Sequence, residues 1–129
     1  MGGDQEIGWE WDDLTRGIIR CIIRVHETLG PGYLEALYRN ALVMELDENG
    51  FKVETEKEVL VFYREKEVGR HRLDILVEGK VIVELKAVDE LSRAHYAQIR
   101  AYLKATGLST GLLVNFSKRL ADYRRVERS

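Results

Sequence analysis

The sequence contains very little cysteine and proline. Its 129 residues include a single cysteine, Cys21, and a single proline, Pro31. One cysteine cannot form a disulfide within the chain, and no zinc-binding pattern surrounds it, which excludes a disulfide-stapled scaffold and a zinc finger. We therefore expect a reducing, cytoplasmic environment. With 45% hydrophobic and 33% charged residues, the chain is also unlike disordered or collagen-like proteins.

Long hydrophobic runs are also missing. The longest apolar stretches, such as Val59 to Tyr63, fall well short of the roughly 20 residues that span a membrane. No basic and then apolar leader opens the chain. We therefore expect neither membrane insertion nor export. The length fits one domain with one hydrophobic core.

Neither sign of charge is in large excess. The formal net charge is −2, which argues against a protein that binds nucleic acid by bulk electrostatics alone. Residues 1–13 contain five acidic residues and no Lys or Arg, so the rest of the chain is mildly basic. We expect residues 1–11 to form an acidic, flexible segment and residues 12–129 to form a single domain.

The spacing of apolar residues predicts two helices before the strands. Asp12 or Asp13 begins the first helix, in which apolar residues recur every three or four positions. Residues 30–32, Gly-Pro-Gly, end it, and a second helix over about 33–49 is closed by Gly50. From Phe51 the period of the sequence changes to two, which predicts a first long strand that includes Val59, Val61 and Tyr63 and ends before a polar turn at 64–66. The other predicted elements are strands at about 68–77 and 81–87, a helix from Ser92 to Thr106, a strand at 111–116 and an edge strand near 123–126. This order predicts an α/β sandwich with a mixed sheet.

Charged residues interrupt two of the predicted core strands. Side chains two residues apart in a strand point the same way, so Glu84 and Lys86 project from one face of the third strand. Asp74 lies within the apolar second strand. A three-residue turn at 78–80 sets Asp74 opposite Glu84, whereas a two-residue turn puts the acids on opposite faces unless a bulge restores the register. The first alternative brings two carboxylates and one ammonium together.

Such a cluster has a chemical and a structural interpretation. Paired carboxylates are hard oxygen ligands that suit Mg²⁺ or Mn²⁺, and an adjacent ammonium stabilises developing negative charge, which suits phosphoryl chemistry. The alternative is a structural ion pair of Lys86 with Glu84 or Asp74. Two further polar residues have similarly ordinary explanations. Glu35 can be explained as an acidic residue in the first turn of a helix, where it interacts with the helix dipole. Gln98 can be explained as an amide at the surface or the edge of its helix.

A series of motifs runs through most of the chain. Gly32, Glu35 and Tyr38 form a Gly-x-x-Glu-x-x-Tyr pattern at the start of the second predicted helix. The other segments are Val25-His26, Leu29-Gly30-Pro31, Arg72 to Val77, Val81 to Ala87, Ala97-Gln98, Tyr102-Leu103, Thr106 to Leu108 and Gly111 to Phe116. Over roughly residues 14–117, the sequence resembles the GxxExxY family of the PD-(D/E)xK nuclease superfamily. It departs from the superfamily name at Leu73, which stands where the name has proline.

The resemblance implies a restriction-endonuclease-like core with the order α-β-β-β-α-β, preceded by one additional N-terminal helix. It also implies an active site. Asp74 and Glu84 would bind a divalent metal ion, Mg²⁺ or Mn²⁺, with the backbone carbonyl of Leu85 as a further ligand. Lys86 would orient or activate the attacking water. The remaining implied site residues are Glu35, which would reach the metal directly or through water, and Gln98.

The function implied by the resemblance is a metal-dependent nuclease that acts on nucleic acid, with DNA favoured over RNA. Residues 12–129 would form a single nuclease domain, which acts alone, as a homodimer or with a partner protein. Trp9 and Trp11 lie outside the match, and the family gives them no role. The alternative, from a different class, is a catalytically silent module that binds nucleic acid or protein and retains the nuclease fold.

Overall fold

A computed structural model of the chain describes the backbone of residues 2–128 and the side chains of residues 13–128. Within this part, the elements follow one another in the order helix, helix, three strands, helix, two strands. Their bounds are α1 Gly2–Leu29, α2 Glu35–Glu48, β1 Val53–Tyr63, β2 Lys66–Val77, β3 Val81–Lys86, α3 Arg93–Thr106, β4 Thr110–Asn115 and β5 Asp122–Glu127. None of the described helices has the length and apolar character that crossing a membrane requires.

The strands form one sheet in the order β1-β2-β3-β4-β5. Neighbouring strands are antiparallel except for β3 and β4, which are parallel and are connected through α3. This arrangement confirms the predicted α/β class with a mixed sheet and is consistent with a restriction-endonuclease-like core. The helix α1 is the additional element in front, and β5 is the predicted edge strand.

The sheet separates two apolar layers. On one face, α1 and α2 pack against the sheet, and on the other face, α3 packs against it. The first layer is formed mainly by Ile18, Ile22, Tyr38, Leu42, Leu46, Val83, Leu85, Val114 and Phe116. The second layer is formed by Leu73, Leu76, Ile82, Ile99, Tyr102, Leu103, Leu113 and Val126. Burial of both faces explains the uninterrupted apolar runs at 81–83 in β3 and 112–114 in β4.

The first helix is longer than the sequence predicted. It begins at Gly2, whereas the predicted start was Asp12 or Asp13. No proline interrupts this stretch, and acidic residues near a helix amino terminus interact favourably with the helix dipole. The side chains of residues 1–12, including Trp9 and Trp11, lie outside the described part of the structure. The flexible acidic segment at 1–11 therefore stays a prediction.

The turn between β2 and β3 fixes the register around the charged residues. Val77 pairs with Val81 and Ile75 with Val83, so the turn has the three-residue length that was one of the two alternatives. Glu78 and Gly79 adopt positive φ angles of 55° and 63° within it. The register directs Asp74 toward Glu84.

The amino-terminal end of α3 is fixed by a local cap. The Ser92 side chain accepts a hydrogen bond from the His95 backbone N–H, and His95 Nδ1 accepts one from the Ser92 backbone N–H. The helix ends at Gly107, whose φ of 75° lies in the left-handed region. These signals explain why the predicted bounds, Ser92 to Thr106, agree closely with the structure.

Candidate active site

Tyr38 shapes the loop that precedes Glu35. Its ring is fully buried and stacks on Phe116 with the ring centroids 4.5 Å apart. Its hydroxyl donates a hydrogen bond to the Gly30 carbonyl at 2.5 Å and accepts one from the Tyr33 backbone N–H at 3.1 Å. The tyrosine of the Gly-x-x-Glu-x-x-Tyr motif therefore fixes the chain entering α2, and with it the first helical turn, which carries Glu35.

Asp74 and Glu84 meet where the β2–β3 ladder ends. Counting away from the β2–β3 turn, the last backbone pair of this ladder is Ile75 with Val83. Beyond it, the Asp74 backbone N–H donates to Glu84 Oε1 at 3.1 Å, and the Leu85 backbone N–H donates to Asp74 Oδ2 at 3.0 Å. Side-chain carboxylates thus replace carbonyls as the acceptors at the end of the strand pair.

The ladder between β1 and β2 is irregular at the same position. Thr55 pairs with Ile75 and Lys57 pairs with Leu73, but the residues between them, Glu56 and Asp74, do not pair with each other. Glu56 has a φ of 52°, in the left-handed region, which costs a residue with a side chain roughly 1–2 kcal/mol. Asp74 therefore lies at an interruption of the backbone pairing on both of its sides.

Lys86 is the last residue of β3, and Gln98 holds its side chain. Lys86 Nζ donates a hydrogen bond to Gln98 Oε1 at 3.1 Å. Gln98 lies in α3, which follows β3 after a short loop. Leu85, between Glu84 and Lys86, is fully buried and pairs with Val114 of β4. The sheet therefore fixes the backbone that carries both charged side chains.

Arg39 is a member of this cluster that the sequence reasoning missed. Its Nη1 atom lies 3.5 Å from Asp74 Oδ1. Arg39 follows Glu35 by four residues in α2, so both side chains lie on one face of the helix. That spacing is the signal that could have identified Arg39, because a helix that presents Glu35 to the site also presents Arg39 to it.

Burial and mutual repulsion shift the pKa values of the acids. Glu84 is only 5% exposed, and burial, followed by the negative charge of Asp74, raises its pKa to about 8. Burial and the charge of Asp74 also raise the pKa of Glu35, while Lys86 and Arg39 act in the opposite direction. Both shifts disfavour the ionised carboxylates, and acids whose pKa is raised by burial and by a specific neighbouring charge are typical of functional sites.

Tyr102 adjoins the site from α3. Burial, together with the charges of Glu84 and Asp74, raises the pKa of its hydroxyl to about 12. It follows Gln98 by four residues, and its ring meets the edge of His71 with the centroids 4.8 Å apart. The hydroxyl therefore remains protonated at neutral pH and can act as a hydrogen-bond donor.

The structure joins most of the sequence-predicted residues by direct contacts. Asp74 is hydrogen-bonded to the β3 backbone beside Glu84 and to the Glu84 side chain, and Lys86 is hydrogen-bonded to Gln98. Glu35 is placed near them by its electrostatic interactions with Asp74 and Lys86. The side chains converge from both helical layers, because Asp74 contacts α2 and Lys86 contacts α3.

The chemistry of these donors fits a divalent cation, although the protein supplies few of the ligands. Asp74 and Glu84 each use one oxygen for a backbone N–H, so Asp74 Oδ1 and Glu84 Oε2 are the atoms that can face an ion. Among residues 13–128, no three His, Cys, Asp or Glu side chains lie together as a ready-made metal cage. Mg²⁺ is commonly held by one or two carboxylates, with water completing its shell, so two carboxylates are sufficient.

The sequence match identifies the family. A model of the PD-(D/E)XK nuclease superfamily matches residues 12–128, which is almost the whole chain. The chain belongs to this superfamily. No curated protein is significantly similar to it in sequence.

Solved structures share the fold. The structure of SSO0001 has a TM-score of 0.59 at 20% identity, covering 72% of this chain and 49% of that one. An alkaline exonuclease from Laribacter hongkongensis, LHK-Exo, has a TM-score of 0.56 at 16% identity, covering 73% of this chain and 56% of that one. The structure of LHK-Exo in complex with dAMP has a TM-score of 0.50 at 15% identity, and the match covers 88% of this chain and 81% of that one. The chain spans about half the length of the first two structures.

Proposed function

We propose that the chain is a divalent-metal-dependent nuclease of the GxxExxY group that hydrolyses phosphodiester bonds in nucleic acid, with DNA preferred over RNA. The observation that carries this proposal is the pair formed by Asp74 and Glu84 at the end of the β2–β3 ladder, with Lys86 on the same strand as Glu84. Membership of a nuclease superfamily supports the reaction class.

The metal site would be built on β2 and β3. Asp74 Oδ1 and Glu84 Oε2 would hold Mg²⁺ or Mn²⁺, with the Leu85 carbonyl as a third protein ligand and Glu35 bound directly or through water. When bound, the ion would supply Lewis-acid stabilisation of negative charge on the phosphate. Its positive charge would also offset the burial and the repulsion by Asp74 that raise the pKa of Glu84, and so would favour the ionised carboxylate.

Lys86 would act on the attacking water. An ammonium has three N–H donors, and Gln98 accepts one of them, so two remain to orient water and the phosphate oxygens. Its positive charge would also stabilise the transition state as negative charge develops. In-line attack with departure of the 3′ oxygen would leave a 5′-phosphate on the product. Gln98 would be a positioning residue for Lys86.

Two observations support the substrate and the setting. LHK-Exo is an alkaline exonuclease with a similar fold, and its complex contains dAMP, a deoxyribonucleotide. This supports nucleic acid, and DNA in particular, as the substrate class. The chain has a single cysteine, Cys21, whose thiol is buried, so it carries no disulfide framework of the kind common in secreted domains, and we propose a cytoplasmic location.

The test is a cleavage assay with Mg²⁺ or Mn²⁺ on single-stranded, double-stranded and branched DNA and on matching RNA. Wild type should cleave, Asp74→Ala should not, and Lys86→Ala should cleave far more slowly than wild type. Lys80→Ala, the same change as Lys86→Ala but in the exposed β2–β3 turn, is the matched control and should retain activity. Equal cleavage by wild type and Asp74→Ala would reveal a contaminating nuclease.

The alternative is a silent module that retains the fold. It predicts that wild type binds oligonucleotide or a protein partner but neither cleaves any of these substrates nor binds the metal ion. Calorimetry with Mn²⁺ separates the two, since a nuclease that lacks only its correct substrate would still bind the ion at Asp74 and Glu84.

A further inference from the structure

Arg39 connects α2 to Asp74. The guanidinium faces Asp74 Oδ1, with side-chain exposures of 25% for Arg39 and 18% for Asp74. Asp74 Oδ2 is already engaged by the Leu85 backbone N–H. Arg39 therefore faces the one Asp74 oxygen that is left to bind a cation.

The contact between Arg39 and Asp74 is loose. Their separation of 3.5 Å exceeds the roughly 2.7–2.9 Å of a charge-assisted hydrogen bond. The attraction is therefore mainly Coulombic, without the directional bond that would hold the guanidinium in one position. Such a contact is readily exchanged for a stronger one.

We propose that Arg39 is a built-in counter-cation, which occupies Asp74 Oδ1 in the metal-free protein and competes with the divalent ion for that oxygen. The inference rests on the proposed function, since it takes Asp74 as a metal ligand. A guanidinium and a divalent cation repel each other, so placing both at one carboxylate oxygen costs electrostatic free energy. Arg39 therefore sets the metal affinity of the site.

The displaced side chain has a place to go and a ligand to bind. Arg39 lines an open groove of about 310 Å³ between α2 and β1, together with Met44, Thr55 and Glu56. Its guanidinium can leave Oδ1 while its backbone stays on α2, one helical turn from Glu35. In the loaded site, it would bind a phosphate oxygen of the substrate, a ligand that suits the planar guanidinium.

The metal-affinity step is tested by calorimetry with Mn²⁺ on wild type, Arg39→Gln and a control. Arg39→Gln should bind Mn²⁺ more tightly, on the order of tenfold, because one competing charge is removed. Arg70→Gln removes the same charge from an ion pair with Glu67 on the β1–β2 hairpin and should match wild type. Unchanged or weaker affinity in Arg39→Gln would overturn the proposal while leaving the nuclease intact. Failure of wild type to bind Mn²⁺ would overturn both.

Nuclear magnetic resonance tests the same exchange by observing the Arg39 side chain of the wild-type protein directly. The Arg39 Nε–Hε signal, assigned by its loss in Arg39→Gln, should move when Mg²⁺ is added to wild type. It should not move in Asp74→Asn, which lacks the charged ligand. A signal that is insensitive to saturating Mg²⁺ would show that the guanidinium stays in place and would contradict the exchange.

To test whether Arg39 binds a substrate phosphate, the protein must bind oligonucleotide without cleaving it. In the Lys86→Ala background, adding Arg39→Gln should weaken oligonucleotide binding in Mn²⁺, measured by fluorescence anisotropy. In EDTA, where no metal ion displaces Arg39 from Asp74 Oδ1, the same change should have little effect on oligonucleotide binding. Equal affinities in Mn²⁺ would remove the phosphate role from the proposal.

Discussion

Asp74 and Glu84 are held together by reciprocal hydrogen bonds between their strands. The Asp74 backbone N–H donates to Glu84 Oε1 at 3.1 Å, and Asp74 Oδ2 accepts the N–H of Leu85, next to Glu84, at 3.0 Å. The backbone thus fixes the position of two groups that repel each other when both are ionised. A bound cation would relieve this repulsion without any rearrangement of the strands.

The stability of the metal-free protein should fall as pH rises. The folded-state pKa of Glu84 is raised from 4.5 to about 8, so between these values the folded protein binds more protons than the unfolded chain. The free energy of unfolding therefore decreases across this window, by on the order of a few kcal/mol, and levels off above it. Below pH 4.5 the contribution disappears because Glu84 is protonated in both states.

Urea unfolding in EDTA from pH 4 to 9 measures this dependence. Glu84→Gln, whose amide oxygen can still accept the Asp74 N–H, should flatten the profile and be more stable than wild type at pH 8. Glu65→Gln, in the exposed β1–β2 turn, should reproduce the wild-type slope. If Glu84→Gln also retained that slope, Glu84 would not be the titrating group.

Divalent cations should stabilise the folded protein. A ligand that binds only the folded state adds about 2.7 kcal/mol of stability at one hundred times its Kd, so the Tm should rise with Mg²⁺ or Mn²⁺. The gain should be larger at pH 9 than at pH 6, because the ion must displace the proton that Glu84 holds with a pKa of about 8.

Thermal scans of Asp74→Asn provide the comparison. This variant should lose most of the metal-dependent gain, whereas Asp47→Asn, at the far end of α2, should keep it. Asp74→Asn should also be at least as stable as wild type in EDTA at pH 8, because one of the repelling charges is gone. A full metal response in Asp74→Asn would place the ion elsewhere.

Lys86 should matter for the reaction and little for metal binding. An ammonium is not a metal ligand, so Lys86→Ala should keep its Mn²⁺ affinity while hydrolysis falls by roughly 10²–10⁴-fold. Gln98→Ala should lower the rate less, since it frees the Lys86 side chain without removing its charge. Single-turnover kinetics beside calorimetry checks both expectations. A parallel loss of metal affinity and rate in Lys86→Ala would mean that Lys86 supports the metal site itself.

Tyr38 should be needed for the geometry of the site. Tyr38→Phe keeps the stack on Phe116 but removes the hydroxyl that bonds Gly30 and Tyr33, and it should cost about 1–3 kcal/mol of stability. Activity should fall as well, because the loop before Glu35 is released. Tyr63→Phe, in the exposed end of β1, is the matched control in unfolding and cleavage assays. Full activity in a destabilised Tyr38→Phe would limit Tyr38 to a purely structural role.

The fold was largely predictable because local signals coincide with the ends of its elements. The Gly-Pro-Gly segment after α1, Gly50 after α2, and Ser92 and Gly107 around α3 each mark a helix boundary that the structure reproduces closely. The β2–β3 register was not predictable, because turns of two and three residues both suited the sequence. Backbone conformation at 78–80 decides between them, and no side chain there demands either one.

The site was predictable only in part. Asp74, Glu84 and Lys86 stand out because charged residues are costly inside apolar strands. Arg39 and Tyr102 carry only an indirect signal, because each follows a predicted site residue by four positions in a helix. The packing of α2 and α3 on the sheet brings them to the cluster. The left-handed conformation of Glu56 beside Asp74 has no sequence signal at all, since glutamate rarely adopts it.

We expect the short turn between β2 and β3 to set the order in which the site comes together during folding. Asp74 and Glu84 are ten residues apart, so they meet as soon as this hairpin closes, an event that takes about 1–10 μs in hairpins generally. Arg39 and Gln98 arrive only when the helices dock. The two carboxylates therefore come together while water still screens them, and the electrostatic cost falls on the later step that buries them. Protonation of Glu84 should consequently speed the docking of the helices, which stopped-flow folding at pH 5 and pH 8 can measure. Hairpin closure should be unchanged, and its microsecond time range calls for temperature-jump relaxation instead.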